Sequence, residues 1–303
     1  MNKSPATPYR GRLAIADSDD RLALAGLTAL TAYGNPTVRT LVRQHGAVDT
    51  YRRLTADEQA HVPGRVDRVR HALSALHRGL QRLVIPGDPD WPANLDAVPP
   101  TGFRQPPLAL WVHGTAPLAT ALQRSVAVVG SKAATSYGNH VATEIASGCT
   151  AGGWTVVASG GFGCDAAAHR AALAQDAVTV AVLGGGLDRP HPAGHNALFD
   201  RITEKGVLVS PYPPDTHPTR ARHIARMALI GLLTSGSVLV EAAQDSNALV
   251  TLKTSAGLGR PVMAVPGPVT SALSSGPHQL LRRPLYRLVT SAADVLAHLT
   301  KPL

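Results

Sequence analysis

SVAVVGSKAATSYGNHVATEIASGCTAGGWTVVASGGFGCDAAAH, residues 125–169, is the stretch that decides the fold. Within it VAVVG (126–130) and WTVVA (154–158) are short apolar runs rich in valine, and the helical segment NHVATEIASGCTAGG lies between them. Runs that are apolar without alternation are strands buried on both faces, and strand, helix, strand in that order builds a parallel sheet. The same rhythm continues downstream. DAAAHRAALAQD reads as a helix, VTVAVLG, GVLVS, SVLVEA and PVMAVPG as strands, with helices near 193–204, 220–234 and 247–258 and a closing helix in SAADVLAHL. The fold class is α/β, a doubly wound parallel sheet.

Upstream the character changes. Residues 1–17 are polar and proline-rich and read as a flexible leader. Residues 18–80 read as a small helical domain, because LALAGLTALTAYG, PTVRTLVRQHG and VDRVRHALSALHRGL space their apolar residues by three and four, punctuated at Gly34-Asn35-Pro36 and Gly64. Next, LVIPGDPDWPANLDAVPPTGFRQPPLALWVHG sets two short apolar runs around a proline-rich crossing, expected as strands at the edge of the domain spanning 81–303.

The chain has 303 residues, 44% of them hydrophobic, with 28 glycines and 24 prolines, as expected of a globular protein with many short loops. A formal charge of +9 favours an anionic partner. Two cysteines, Cys149 and Cys164, are too few for a disulfide framework or a four-cysteine zinc site, which fits a reducing cytoplasm. No run of about 18 apolar residues appears, so no membrane span is expected.

In open parallel sheets ligands sit beyond the carboxyl ends of the strands, near the switch in strand order. The loops there are GSKAATSYG (130–138), SGGFGCD (159–165), GGGLDRP (184–190), SPYPPDTHPTRARH (210–223), EAAQDSNAL (241–249) and PGPVTSALSSGPH (266–278). Small residues dominate four of them, letting backbone N–H groups and helix N-termini approach an anion, with phosphate the natural choice. Neither GxGxxG nor GxxxxGK[ST] occurs, so dinucleotide and NTP cofactors lack their motifs. The expectation is no cofactor and no metal. HPTRARHIAR (217–226) is the densest basic run and suits a phosphate groove read without sequence specificity, or alternatively a solvated face.

Taken in order, GDPDWPANL, PPLALWVHG, VAVVGSKAATSYG, SGGFGCDAAAH, VAVLGGGLDRPHP, VLVSPYPP, VLVEAAQDSNALVT, MAVPGPV and SSGPHQLL resemble the DNA-processing protein A (DprA/Smf) family over about residues 85–296. The resemblance implies an extended Rossmann-like domain preceded by a sterile-alpha-motif or helix-hairpin-like domain. It implies a non-enzymatic homodimer that binds single-stranded DNA and hands it to RecA recombinase in transformation or recombination. Many members carry a further winged-helix domain, and none is expected in this chain.

The phosphate site is expected at Gly130, Ser131 and Lys132, at Ser159, Gly160, Gly161 and Gly163, and at Gly184 and Gly185. Lys132 stands where the family has arginine. Asp165 opens the next helix, as an N-cap or as part of the site, with His169 as polar support. Phe162 either stacks on a base or packs beneath its loop. Arg220, Arg222 and Arg226 supply charge, Ser246 and Asn247 a helix start, Lys253 a further cation, and Asn196 and His278 polar positions. Met227 and Ala228 replace the asparagine and arginine of the family pattern, which leaves open a divergent relative with a changed ligand. The rival reading is a nucleotide- or N-glycoside-acting enzyme of the phosphoribohydrolase type. The chain lacks that group's PGGxGTxxE motif, and Glu241 is the one carboxylate placed for chemistry.

Overall fold

The computed structural model describes residues 19–56, 65–79, 81–99 and 105–300; the leader expected over 1–17 and the turn at Gly64 lie outside these. Three helices come first: α1 (Asp20–Leu30), α2 (Pro36–Ala56) and α3 (Arg65–His77). The Asp19 carboxylate caps α1 by accepting from Arg21 N and Leu22 N, and Gly46, at φ 80°, breaks α2 into two segments. Then follow β1 (Arg82–Val84), α4 (Ala93–Asp96), β2 (Leu110–Gly114), α5 (Leu118–Gln123), β3 (Ser125–Val129), α6 (Ser136–Ala151), β4 (Thr155–Ser159), α7 (Cys164–Ala174) and β5 (Thr179–Val182). The chain continues through α8 (Asn196–Lys205), β6 (Val207–Ser210), α9 (Arg220–Leu233), β7 (Gly236–Leu239), α10 (Ala248–Gly257), β8 (Val262–Ala264), α11 (Ser275–Leu281), β9 (Arg287–Leu288) and α12 (Ala292–Leu299).

The strands form one sheet in the order β1-β2-β6-β5-β4-β3-β7-β8-β9. From β6 to β9 all pairs are parallel, while β2 joins β6, and β1 joins β2, antiparallel. The two strands expected from the proline-rich crossing are thus the antiparallel edge. Walking in sequence from β3 the chain adds β4, β5 and β6 on one side, then returns to place β7 on the other, so the order reverses at β3.

Alternation along each strand feeds two faces. Ala127 and Val129 of β3 join one core with Val157, Leu239 and the α9 residues Leu229 and Ile230. Val126 and Val128 join the opposite core with Ile145, Val156 and Ala168 under α6, α7 and α12. Apolar strands are therefore required, since each valine fully removed from water contributes about 1.5–3 kcal/mol on whichever side it points. The N-terminal helices share a third core with the sheet: Leu27 and Tyr51 pack with Trp111 of β2, Leu208 of β6 and Phe199 of α8. Polar ties reinforce that contact. Arg21 pairs with Asp88 at 2.7 Å, the Trp111 indole donates to Thr28 Oγ1 at 3.2 Å, and Arg39 donates to the Pro106 carbonyl at 3.0 Å.

Arg260 closes the end of α9. Its Nη1 donates to the carbonyls of Gly231 (3.0 Å), Leu232 (2.7 Å) and Thr234 (2.6 Å), and Nη2 to Asn94 (2.9 Å). These are the carbonyls a helix end leaves without partners, and burial of the guanidinium among them draws its pKa down to about 10. Among the described residues no helix is long and apolar enough to cross a membrane.

Candidate functional site

Where the strand order reverses, the loops after β3, β4 and β7 part and leave a cleft of about 710 Å³ at the carboxyl edge of the sheet. Gly130, Ser131 and Lys132 line it from β3; Ser159, Gly161 and Phe162 from β4; Asp245, Ser246 and Asn247 from β7. One face of α9 forms the fourth wall, through Arg220, His223, Arg226 and Met227. Arg220, Arg226 and Met227 each lie three or four residues from His223 and so share its helix face.

Asp165 is the strut beneath the floor. It is buried and accepts from Gly130 N at 3.1 Å, Ser159 N at 3.1 Å and the Ser159 hydroxyl. Ser159 Oγ in turn accepts from Gly161 N at 3.1 Å. Burial raises the pKa of Asp165 above the ordinary carboxylate range, opposed by the Ser159 hydrogen bond and the nearby Arg226 charge. One expectation is corrected here. Asp165 is no N-cap, because α7 starts from Gly163 without a side-chain cap and Asp165 is already inside the helix, turned toward the strand ends. Asp165 and Gly161 both line the cleft, with the carboxylate and the Gly161 amide engaged by Ser159.

Gly163 is required as glycine. At φ 69° a side chain there would run into the backbone carbonyls of Ser131 and Lys132, which this close approach brings within reach of Cys164 N, 3.2 Å from the Ser131 oxygen. Glu241 fixes the other side of the β3 loop, accepting from Thr135 N at 3.0 Å and the Thr135 hydroxyl at 2.7 Å. His169 braces β4 to β5, with Nδ1 2.8 Å from Thr179 Oγ1 and Nε2 3.1 Å from the Ser159 carbonyl. Burial holds its pKa down to about 4. The neutral ring donates from Nε2 to the Ser159 carbonyl, while the Thr179 hydroxyl donates its own proton to the Val156 carbonyl at 2.8 Å.

The walls above this floor are basic. Lys132 and Arg220 are exposed, with no hydrogen bond or ion pair among the described residues. Arg226 is 7% exposed, yet none of its guanidinium donors is taken by a described residue, and Nε is buried without a partner. Burial lowers its pKa, with Asp165 partly restoring it. His223 is pulled down to about 4, by burial first and then by Arg226, His191 and Lys132. Phe162 stands on the rim 48% exposed, its ring 4.2 Å from that of His195, whose Nδ1 donates to the Gly160 carbonyl at 3.1 Å. Among the described residues no cluster of histidine, cysteine and carboxylate side chains has the makings of a metal site.

Several expected residues lie elsewhere. Gly184 and Gly185 are buried under the 216–222 segment, where a side chain would press on the Arg222 and Thr216 carbonyls, so those glycines serve packing. Arg222 points away from the cleft, donating to the His217 carbonyl at 2.6 Å and lying 5.3 Å over the Tyr212 ring, because it sits off the helix face shared by Arg220 and Arg226. Gly160 packs on Leu183 and Phe199. Asn196 and Lys253 are exposed on α8 and α10, outside the cleft lining. His278 binds the Gly267 carbonyl at 3.0 Å. The cleft also takes in His191, Pro192, His223, Ala243, Asp245 and Leu273, which the sequence reading did not single out. For His223 a signal existed, since it lies three residues from both Arg220 and Arg226.

The family model for DNA recombination-mediator protein A matches residues 82–300. The chain is 45% identical over 237 residues to a DprA-type DNA processing protein of Mycobacterium tuberculosis, covering 76% of this chain and 61% of that one. It is 36% identical over 211 residues to protein Smf of Escherichia coli, covering 69% and 56%. The chain thus spans about three fifths of the length of these relatives. The structure of DNA processing protein A from Streptococcus pneumoniae superposes with a TM-score of 0.69 at 25% identity, covering 97% of this chain and 98% of that one. DNA processing protein A from Helicobacter pylori, a structure that addresses that protein's single-stranded DNA binding mode, gives 0.62 at 20% identity over 72% and 94%. With the family's strands and loops found in their order around one crevice, the chain belongs to the DNA recombination-mediator protein A family.

Proposed function

We propose that the cleft holds the sugar–phosphate backbone of single-stranded DNA. On this reading the protein is a non-enzymatic mediator that covers incoming or recombining strands, works as a homodimer and passes the strand to RecA recombinase. The observation that carries the reading is Arg226: a guanidinium nine-tenths buried, lining a cleft, with no acceptor for its donors among the described residues. Such a group calls for an anion, and a phosphate diester supplies both charge and acceptor oxygens. Lys132 and Arg220 extend the charge outward. Phe162 offers a half-exposed ring to an unpaired base, which duplex DNA does not present. Gly130, Ser131, Ser246 and Asn247 supply small polar walls that let the backbone approach. Met227, in the lining, gives an apolar contact where the family pattern has asparagine.

The rival enzymatic reading needs Glu241 as its reactive carboxylate. Both its oxygens are engaged with Thr135, and it is buried, which leaves it holding a loop.

The test is fluorescence anisotropy with labelled single-stranded and duplex oligonucleotides and with mononucleotides, across salt. Single strands bind best, and log K falls with log salt by roughly 0.7 per neutralised phosphate. Equal affinity for duplex, or no salt dependence, refutes the reading. Faster nucleation of RecA on single strands in the presence of the protein tests the second half.

A further inference from the structure

A second concavity of about 520 Å³ lies between α6 and α7, on the far side of the Gly161–Gly163 turn from the cleft. Lys132 lines both. Beyond it the groove runs past Asn139 and Thr143 of α6 and Arg170 of α7, over a floor of Gly163 and alanines. Small floor residues let a chain lie close to both helices, and Gly163, packed against the Ser131 and Lys132 backbone, forms with Lys132 the saddle between the two concavities.

The charges around the groove have one sign. Lys132 and Arg170 carry no hydrogen bond or ion pair among the described residues. Among the described residues no carboxylate lines it. Asp165 is buried beneath the floor of the cleft, Asp176 at the end of α7 is held by Lys205 at 2.6 Å, and Glu144 is exposed on α6 outside the lining. The Thr143 hydroxyl donates to the Asn139 carbonyl at 2.9 Å, and the Asn139 side-chain amide is left to donate into the groove.

We propose that this groove is a second stretch of the single-strand path: the DNA leaves the cleft over the Gly163 saddle at Lys132 and lays a further phosphate against Arg170 and Asn139. The proposal rests on the reading of the cleft as a single-strand site. A continuing strand is favoured over a free anion by continuity, because Lys132 belongs to both concavities and a phosphate there has one neighbour on each side. It is favoured over a protein segment by the floor, whose alanines and glycine offer no pocket for a large side chain.

A series of oligothymidylates of increasing length, from about 4 to about 16 nucleotides, tests it by anisotropy on the wild type, Arg170→Ala, Arg170→Lys and Ala174→Glu. Short oligomers that fill only the cleft bind all four proteins alike. Above a threshold length the wild type gains affinity, Arg170→Ala loses about five- to tenfold relative to it, as for an ordinary net hydrogen bond at an exposed side chain, and its salt slope flattens by roughly 0.7. Arg170→Lys keeps the slope, and Ala174→Glu, at an exposed groove position, loses affinity for long oligomers only. Thermal melts confirm that each variant folds. Equal losses at every length, or none at any, overturn the groove. If short oligomers fail to bind the wild type at all, the reading of the cleft falls instead.

Discussion

Replacing Arg226 by methionine separates a ligand-binding cation from a structural one, because the two roles predict stability changes of different size and different effects on affinity. In the free protein the guanidinium is buried, its pKa is lowered by that burial, and no described residue accepts its hydrogens. A side chain in that state costs folding free energy relative to an apolar one of similar length, since it is taken out of water without a partner. Asp165 loses a neighbouring positive charge in the variant but keeps its three donors from Gly130 and Ser159. Stability is therefore expected to change by less than about 1 kcal/mol, with either sign small against a typical total of about 5–15 kcal/mol. The affinity for single-stranded DNA tells the other half. One charge-assisted contact to phosphate is worth about 1.5–3 kcal/mol, so Kd rises by about 10- to 150-fold, and the salt slope loses roughly 0.7. Urea denaturation and anisotropy on Arg226→Met, with Arg226→Lys as a charge-conserving control, measure both. A loss of several kcal/mol in stability with unchanged Kd would refute the reasoning and make Arg226 a brace for Asp165.

Phe162→Ala is expected to weaken single-strand binding by about 1–3 kcal/mol, the worth of one stacked base, and to leave the melting temperature in place because the ring is already 48% exposed; a fall in melting temperature with intact binding contradicts this. Gly163→Ala forces a side chain against two backbone carbonyls at φ 69°, so denaturant titration should show a loss of at least about 2 kcal/mol, and a loss under about 0.5 kcal/mol would disprove the close approach. Because His169 titrates near about 4 when folded and near about 6.5 when unfolded, the unfolded chain binds more protons between those values. The contribution is fully present above about 6.5 and is lost as pH falls toward about 4, with a slope of up to about 1.4 kcal/mol per pH unit. His169→Gln should flatten that slope, and an unaltered slope would show that the ring is not neutral in the native state.

Local rules were enough to read the framework from the sequence. The valine runs of β3 to β8 carry their own burial requirement, since a strand covered on both faces has no polar side to show. The helix starts and the glycine-rich loops that follow the strands are likewise written in residues a few positions apart. Even Phe162, Lys132 and Arg226 could be placed on the rim, because each follows a strand or sits on the basic helix. What the sequence left open was direction and company. Gly184 and Gly185 resemble Gly161 and Gly163 in any local pattern, yet the 216–222 segment, far along the chain, folds over the first pair and leaves the second at the rim. Arg222 and Arg220 differ by two positions in one basic run, and the rotation of α9 against the sheet turns one onto Tyr212 and the other into the cleft. Asp165 reads as a cap from its place before an alanine run; only the approach of the β3 loop to β4 makes it the strut under both. These outcomes depend on contacts between segments distant in sequence, and strand order alone decides which loops meet. The sequence determined the strands and helices, and the reversal of the sheet at β3 determined which of their residues share a cleft.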